Sequence, residues 1–276
     1  MSTLEMMLIA GVAIPLASFA FLALFGARLG KPLSGWVATA AVGASAVLAT
    51  VVLAQWWRLS PEAKAEATTA ALANSVTWTH LGSIPLSVGV NLDSLTVIMF
   101  FMVSFVAAWI HVFSLGYMAG HSDEVDGISH YHRFFAYLSL FCFSMLGLVI
   151  ANSLLFLFIF WELVGLCSYL LIGFYFDKKS ASNAGMKAFI TNRVGDMGLI
   201  IGVTILYFAA DRTFDIVTIN EMANSGEIRH SLLLIASACL MAAVMSKSGQ
   251  FFLHTWLPDA MAGPTPVSAL LHSATM

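Results

Sequence analysis

LLFLFIFWELVGLCSYLLIGFYF, residues 154–176, decides the fold. It is long enough to cross a bilayer as a helix, which takes about 20 apolar residues. Yet it carries Glu162 near its middle. At about 1.5 Å per residue the carboxylate lies roughly 13 Å from a helix start at Ser153, close to the bilayer midplane. An acid at that depth costs several kcal/mol, so residues of this kind are paired, water-lined and functional. Whatever the rest of the chain does, it must make Glu162 tolerable and useful.

Composition extends the membrane reading to the whole chain. Of 276 residues 59% are hydrophobic and 10% charged, with mean hydropathy +0.88. Soluble domains carry about 25% charged residues, so too little polar surface exists here to cover one. Apolar runs of spanning length fall at about 4–26, 33–56, 92–119, 132–151, 153–176, 184–210 and 230–257. The fold class is therefore an all-α polytopic membrane protein, with about seven full transmembrane helices plus the start of an eighth. That eighth run begins near Val267 and reaches Met276 while still too short to span, so the expectation is a chain cut inside a helix. The N-terminal MSTLEMM lacks a basic run and a cleavage site, which predicts a retained first helix. Net charge is −3 and no basic run occurs, which argues against a nucleic-acid partner. Cys142, Cys167 and Cys239 sit inside apolar runs and read as small core residues. No HExxH, P-loop, CxxC or strand-linked GxGxxG is present.

Between the runs, 57–90 is the longest connection, with a short surface helix over Ala63–Ala73 and a small hairpin over Val76–Val90 turning at Gly82–Ser83. The acidic loop 120–130 predicts solvated histidines at His121 and His130. Trp36, Trp56, Trp57 and Trp78 near helix ends fit an interfacial belt. Arg28, Lys31, Arg133, Lys178, Lys179 and Lys187 fall on one side, and Arg58, Lys64, Arg212 and Arg229 on the other. That weak bias places the first side in the cytoplasm and the N-terminus outside.

Ten of the twelve basic residues are used in that tally. The two left, Arg193 and Lys247, lie inside apolar helices, as do the acids Glu162 and Asp196. Four buried ionisable residues, two of each sign, form the sharpest pattern in the sequence. Arg193 and Asp196 are three apart and share a helix face. They read either as a structural lock between helices or as groups that bias a charge on the next helix. Gly198-x-x-x-Gly202 permits close helix contact there. Lys247 is flanked by Ser246, Ser248 and Gly249, residues that accompany a locally opened helix. A desolvated lysine gives up its proton more readily, and a nearby carboxylate holds it, so a lysine alternating between the two is a reversible proton carrier. His272 follows in the chain and reads either as a satisfied core histidine or as the next relay.

Three segments carry a resemblance: FWELVGLCSYLLIGFY at 160–175, NRVGDMG at 192–198 and TWLPDAMAGPTPVSALLHSATM at 255–276. VNLDSLTVIMFF at 90–101 and YHRFFAYLSLF at 131–141 extend it. Together they resemble the N-terminal part of the subunit L (subunit 5) family of proton-pumping NADH:quinone oxidoreductase, respiratory complex I. The wider antiporter-like family includes subunits M and N and the large subunit of multisubunit Na+/H+ antiporters, the alternative reading. The resemblance implies three N-terminal helices over 1–130, with the 57–90 segment outside the membrane. It implies that 131–276 forms most of one five-helix repeat (helices 4–8), truncated in helix 8. It makes Glu162 the essential glutamate, Lys247 the lysine of a broken seventh helix and His272 the histidine of the eighth. Arg193 and Asp196 become the polar pair of the sixth helix, with Asp196 modulating a switchable Glu162–Lys247 pair. It implies no redox centre in this chain: NADH, FMN, iron–sulfur clusters and quinone belong to partner subunits. The implied partners are other membrane subunits including a subunit M-like neighbour, the lipid bilayer and protons, with no nucleic acid. The implied location is the bacterial cell inner membrane, or the mitochondrial inner membrane in a eukaryote.

Overall fold

The computed structural model describes residues 1–81, 84–120, 124–125 and 128–272. The turn expected at Gly82–Ser83 and the solvated His121 lie outside the described residues. Seven helices among those described are long and apolar enough to cross a membrane. They are α1 (Thr3–Leu29), α2 (Leu33–Arg58), α4 (Ser94–Gly120), α5 (Tyr131–Ile150), α6 (Leu154–Ile172), α7 (Lys179–Ala209) and α9 (His230–Lys247). Between α2 and α4 lie the surface helix α3 (Pro61–Ala73) and the antiparallel pair β1 (Val76–Leu81) and β2 (Ile84–Val88). A second short pair, β3 (Glu124–Val125) and β4 (Ile128–Ser129), joins α4 to α5. Helix α8 (Ile216–Ser225) separates α7 from α9, and the short helices α10 (Trp256–Asp259) and α11 (Thr265–Leu270) follow. The chain is thus an integral membrane protein of helices, and the strands among the described residues form two short antiparallel pairs.

Local chemistry sets the ends. Ser2 and Glu5 form a capping box on α1, and Asn74 at the end of α3 donates to Glu5 Oε2 at 3.1 Å. That satisfies a nearly buried carboxylate and fixes α3 against the first helix. Asp215 caps α8, and Gly226 ends it in the left-handed conformation that glycine adopts at no steric cost. On the same face, backbone bonds stitch three connections together. Asn91 N–H donates to the Ile150 carbonyl at 2.9 Å, Leu154 N–H to Phe214 at 2.9 Å, and Ile216 N–H to Asn152 at 3.2 Å. Gly89 N–H donates to Asn152 Oδ1 at 3.0 Å.

Helix α5 is the centre of the first half. Phe134, Phe135, Leu138, Phe141 and Leu146 are fully buried among α1, α2, α4 and α6. Inside a bilayer this burial stabilises through close van der Waals packing, since lipid tails are as apolar as the side chains. In the second half α7 packs on α9 through glycines. A Cβ on Gly198 would stand 2.4 Å from the Cys239 carbonyl, and one on Gly202 would stand 3.0 Å from the Ala236 carbonyl. The Gly198–Gly202 spacing does bring the backbones together.

Three local expectations change. Trp36, Trp57 and Trp78 are exposed, but Trp56 is buried and donates through Nε1 to Ser94 Oγ at 3.0 Å. It ties α2 to α4 rather than sitting in a belt. His130 is half-buried, its ring 5.4 Å from that of Phe176. The seventh span stops at Lys247 rather than running on to 257, because Gly249 and Phe252 take positive φ values of 59 and 75.

Candidate functional site: a charged seam between three helices

Helix α6 presents two successive residues to α7. Trp161 Nε1 donates to Asp196 Oδ1 at 2.6 Å, and Glu162 forms an ion pair with Arg193 through Oε2. Asp196 and Arg193 are three apart on α7, one turn in pitch, so neighbouring positions on one helix meet neighbouring turns of the other. Asp196 is almost fully buried. The Arg193 side chain is 42% exposed and its guanidinium lies 4.7 Å from the centre of the Phe189 ring. Glu162 is more enclosed, at 16%.

Lys247 is the last residue of α9, where helix carbonyls lack their usual donors and a cation is favoured. It is nearly buried. Its Nζ donates to the Trp161 carbonyl at 3.2 Å and stands 5.5 Å from the centre of the Trp161 ring. Ser246, just before it, donates to the Thr191 carbonyl at 3.0 Å, and Trp256 Nε1 returns to the Ser246 carbonyl at 3.0 Å. The break after Lys247 is thus closed over by Trp256 instead of being left open. Beyond it a cavity of about 250 Å³ is lined by Lys247, Ser248, Leu257, Met261 and His272. His272 Nε2 is buried with no hydrogen-bond partner among the described residues.

The five residues singled out in sequence therefore converge on one seam and its adjoining cavity. One juxtaposition differs from the expectation. Glu162 is joined to Arg193, and Lys247 rests on a neutral carbonyl rather than on Glu162. The reason is placement: Arg193 comes from the helix flanking Glu162, whereas Lys247 arrives from the end of α9 at the level of Trp161. Sequence reasoning missed Trp161 and Gly165, and it noted Ser246 only as a small residue beside Lys247, not as a donor to α7. A usable signal existed for the first, since a tryptophan in the middle of a span is far from the interfacial belt and its N–H needs a partner. The thiols of Cys142 and Cys167 are buried and that of Cys239 half-buried, all unpaired.

These features define a class: a polytopic membrane protein whose ionisable groups lie within its spans, around a discontinuous helix. The match to known families is specific. Residues 151–276 match the family described as NADH:quinone oxidoreductase/Mrp antiporter. Residues 78–135 match that described as NADH-ubiquinone oxidoreductase (complex I), chain 5 N-terminus. The chain belongs to this antiporter-like family of membrane subunits. It is 40% identical over 272 residues to NADH-quinone oxidoreductase subunit L of Neisseria meningitidis, an alignment covering 95% of this chain and 38% of that protein. It is 47% identical over 211 residues to NAD(P)H-quinone oxidoreductase chain 5 of Synechocystis, covering 75% and 30%. The chain thus spans about a third of the length of the curated relatives it matches. Among solved structures, the Mrp complex from Dietzia shares the fold with TM-score 0.74 at 23% identity, over 100% of this chain and 27% of that one. The archaeal membrane-bound sulfane sulfur reductase does so with TM-score 0.73 at 17% identity, over 97% and 51%.

Proposed function

We propose that this chain serves as a proton-translocating membrane subunit of an NADH:quinone oxidoreductase, a translocase component with no redox centre of its own. Lys247 carries the proton, and energy reaches it from quinone reduction in partner subunits. The observation that carries this reading is Lys247 itself: a nearly buried lysine at a helix break, facing a cavity shared with His272.

The switch works through the position of one negative charge. The enclosed Glu162 stands on Arg193, which reaches the surface of α7 where Ile190, Val194 and Met197 also present apolar surface. A neighbouring membrane subunit, M-like as the sequence resemblance implies, docks on that face and moves Glu162 between Arg193 and Lys247. With Glu162 beside it, Lys247 holds its proton; with Glu162 on Arg193, the proton passes toward His272. Asp196, held by the Trp161 indole, is the carboxyl that modulates the pair. Moving one charge against 100 mV takes about 2.3 kcal/mol, within the reach of forming or breaking one such pair.

The test is proton pumping by the assembled complex in proteoliposomes. Lys247→Ala and Glu162→Gln are each expected to remove pumping through this subunit while the complex still assembles. Unchanged pumping in either variant defeats the proposal, and lost assembly would point to a scaffold whose charges serve only as ion pairs. A second reading, a large subunit of a multisubunit Na+/H+ antiporter, draws on the Mrp complex from Dietzia, whose fold overlays the full length of this chain. Na+-stimulated proton exchange without co-purifying quinone reductase subunits would favour it.

A further inference from the structure

The residue that holds Lys247 is a backbone carbonyl inside a helix, which is an unusual partner. In α6 the Trp161 carbonyl belongs to the Gly165 N–H, four residues on. Its second lone pair is free to accept again, but a side chain at position 165 would cover it. Gly165 removes that cover. A Cβ built there would stand 2.9 Å from Lys247 Nζ, inside the space the ammonium now fills. The same Trp161 closes the other side, with its ring 5.5 Å from Nζ and its indole N–H 2.6 Å from Asp196 Oδ1. A second polar contact anchors the approach, since Ser246 Oγ donates to the Thr191 carbonyl on α7 at 3.0 Å.

We propose that Trp161 and Gly165 form a built seat for Lys247, in which the bared Trp161 carbonyl receives the ammonium and the Trp161 indole holds Asp196 beside it. The seat deepens the proton-carrier reading and rests on it. It gives the lysine a resting place that bears no charge, so that Glu162 is free to remain on Arg193. It also makes Trp161 the common contact of Asp196 and Lys247, while the next residue on the same helix holds the switchable acid. Trp161 and Gly165 act as positioning residues through Lys247. A glycine in the middle of a helix otherwise weakens it relative to alanine. Helix packing does not call for a glycine here, since a Cβ at 165 would meet only Lys247 Nζ within 4 Å.

The experiment replaces Gly165 by alanine and, separately, Trp161 by phenylalanine in the full subunit within its assembled complex. Protons translocated per NADH oxidised are measured in proteoliposomes, together with the amount of complex assembled. Gly165→Ala is expected to assemble fully and to lower the ratio about tenfold, the scale of one hydrogen bond to a charged group. Trp161→Phe keeps the carbonyl and loses the clamp on Asp196, so a smaller fall is expected. Full assembly with an unchanged ratio in Gly165→Ala overturns the seat. If that variant does not assemble, Trp161→Phe decides, and an unchanged ratio there overturns it. Lys247→Ala, measured alongside, separates the two levels. If that variant pumps normally, the proton-carrier reading fails. If only it loses pumping, the reading stands and the seat alone is wrong.

Discussion

Helices α1, α2, α4 and α5 and helices α6, α7 and α9 handle buried polar atoms in opposite ways. In the first group most hydroxyls bond within their own helix. Ser104 donates to the Phe100 carbonyl at 2.7 Å, and Ser114 to Ile110 at 2.6 Å. His111 is likewise held by the Ala107 carbonyl at 2.8 Å. Bonds between these helices, such as Ser18 with Ser139 at 3.3 Å, are neutral. In the second group Ser168 still donates to the Val164 carbonyl at 2.8 Å, but charged side chains also bond from helix to helix: Trp161 to Asp196, Lys247 to the Trp161 carbonyl, Arg193 to Glu162. A hydroxyl satisfied by its own backbone has no reason to move. An ion satisfied by another helix changes partner when that helix shifts or a competing charge approaches. The first group is framework and the second is the part able to switch, although both are apolar enough to span.

Substitutions can break or sharpen this contrast. Gly198→Leu should have the largest effect. The obstruction is the Cys239 backbone, so the cost exceeds the roughly 1–3 kcal/mol of ordinary overpacking. Little intact subunit is expected when assembled complex is quantified by native gel. Lys247→Ala comes next, with assembly retained and pumping lost. A normal yield of unfolded or degraded chain instead would mean the charged seam is also framework.

Arg193→Leu leaves Glu162 without its ion. Breaking a fully buried pair costs about 3–5 kcal/mol, and the 42% exposure of Arg193 reduces this to about 1–2 kcal/mol here. Thermal unfolding in nanodiscs should show a modest drop, with pumping impaired more than stability. Ser104→Ala is the smallest, below about 1 kcal/mol, since only a local backbone contact is lost. A large effect there would erase the distinction between the two groups.

Much of this was legible in the residues. All seven spans follow from apolar length, and α3 and the 76–88 hairpin follow from their polar, turn-rich context. The glycines at 198 and 202 marked a close helix contact, and the structure supplies α9 as the partner. Trp56 went astray because position near a helix end does not reveal whether a neighbouring helix covers it. The seventh span was drawn too long because hydropathy averages over residues 248–257 and does not register the positive φ values that end the helix at Lys247.

Glu162, Arg193, Asp196 and Lys247 stood out in the sequence by themselves, because an ionisable residue in a hydrophobic span has a solvation cost that demands a partner. Which partner each takes was decided only in three dimensions. A charge states its need through composition, but its neighbour depends on how three helices cross and where one of them breaks. Hence Glu162 meets Arg193, Trp161 meets Asp196, and Lys247 settles on a carbonyl that a glycine one turn away leaves open.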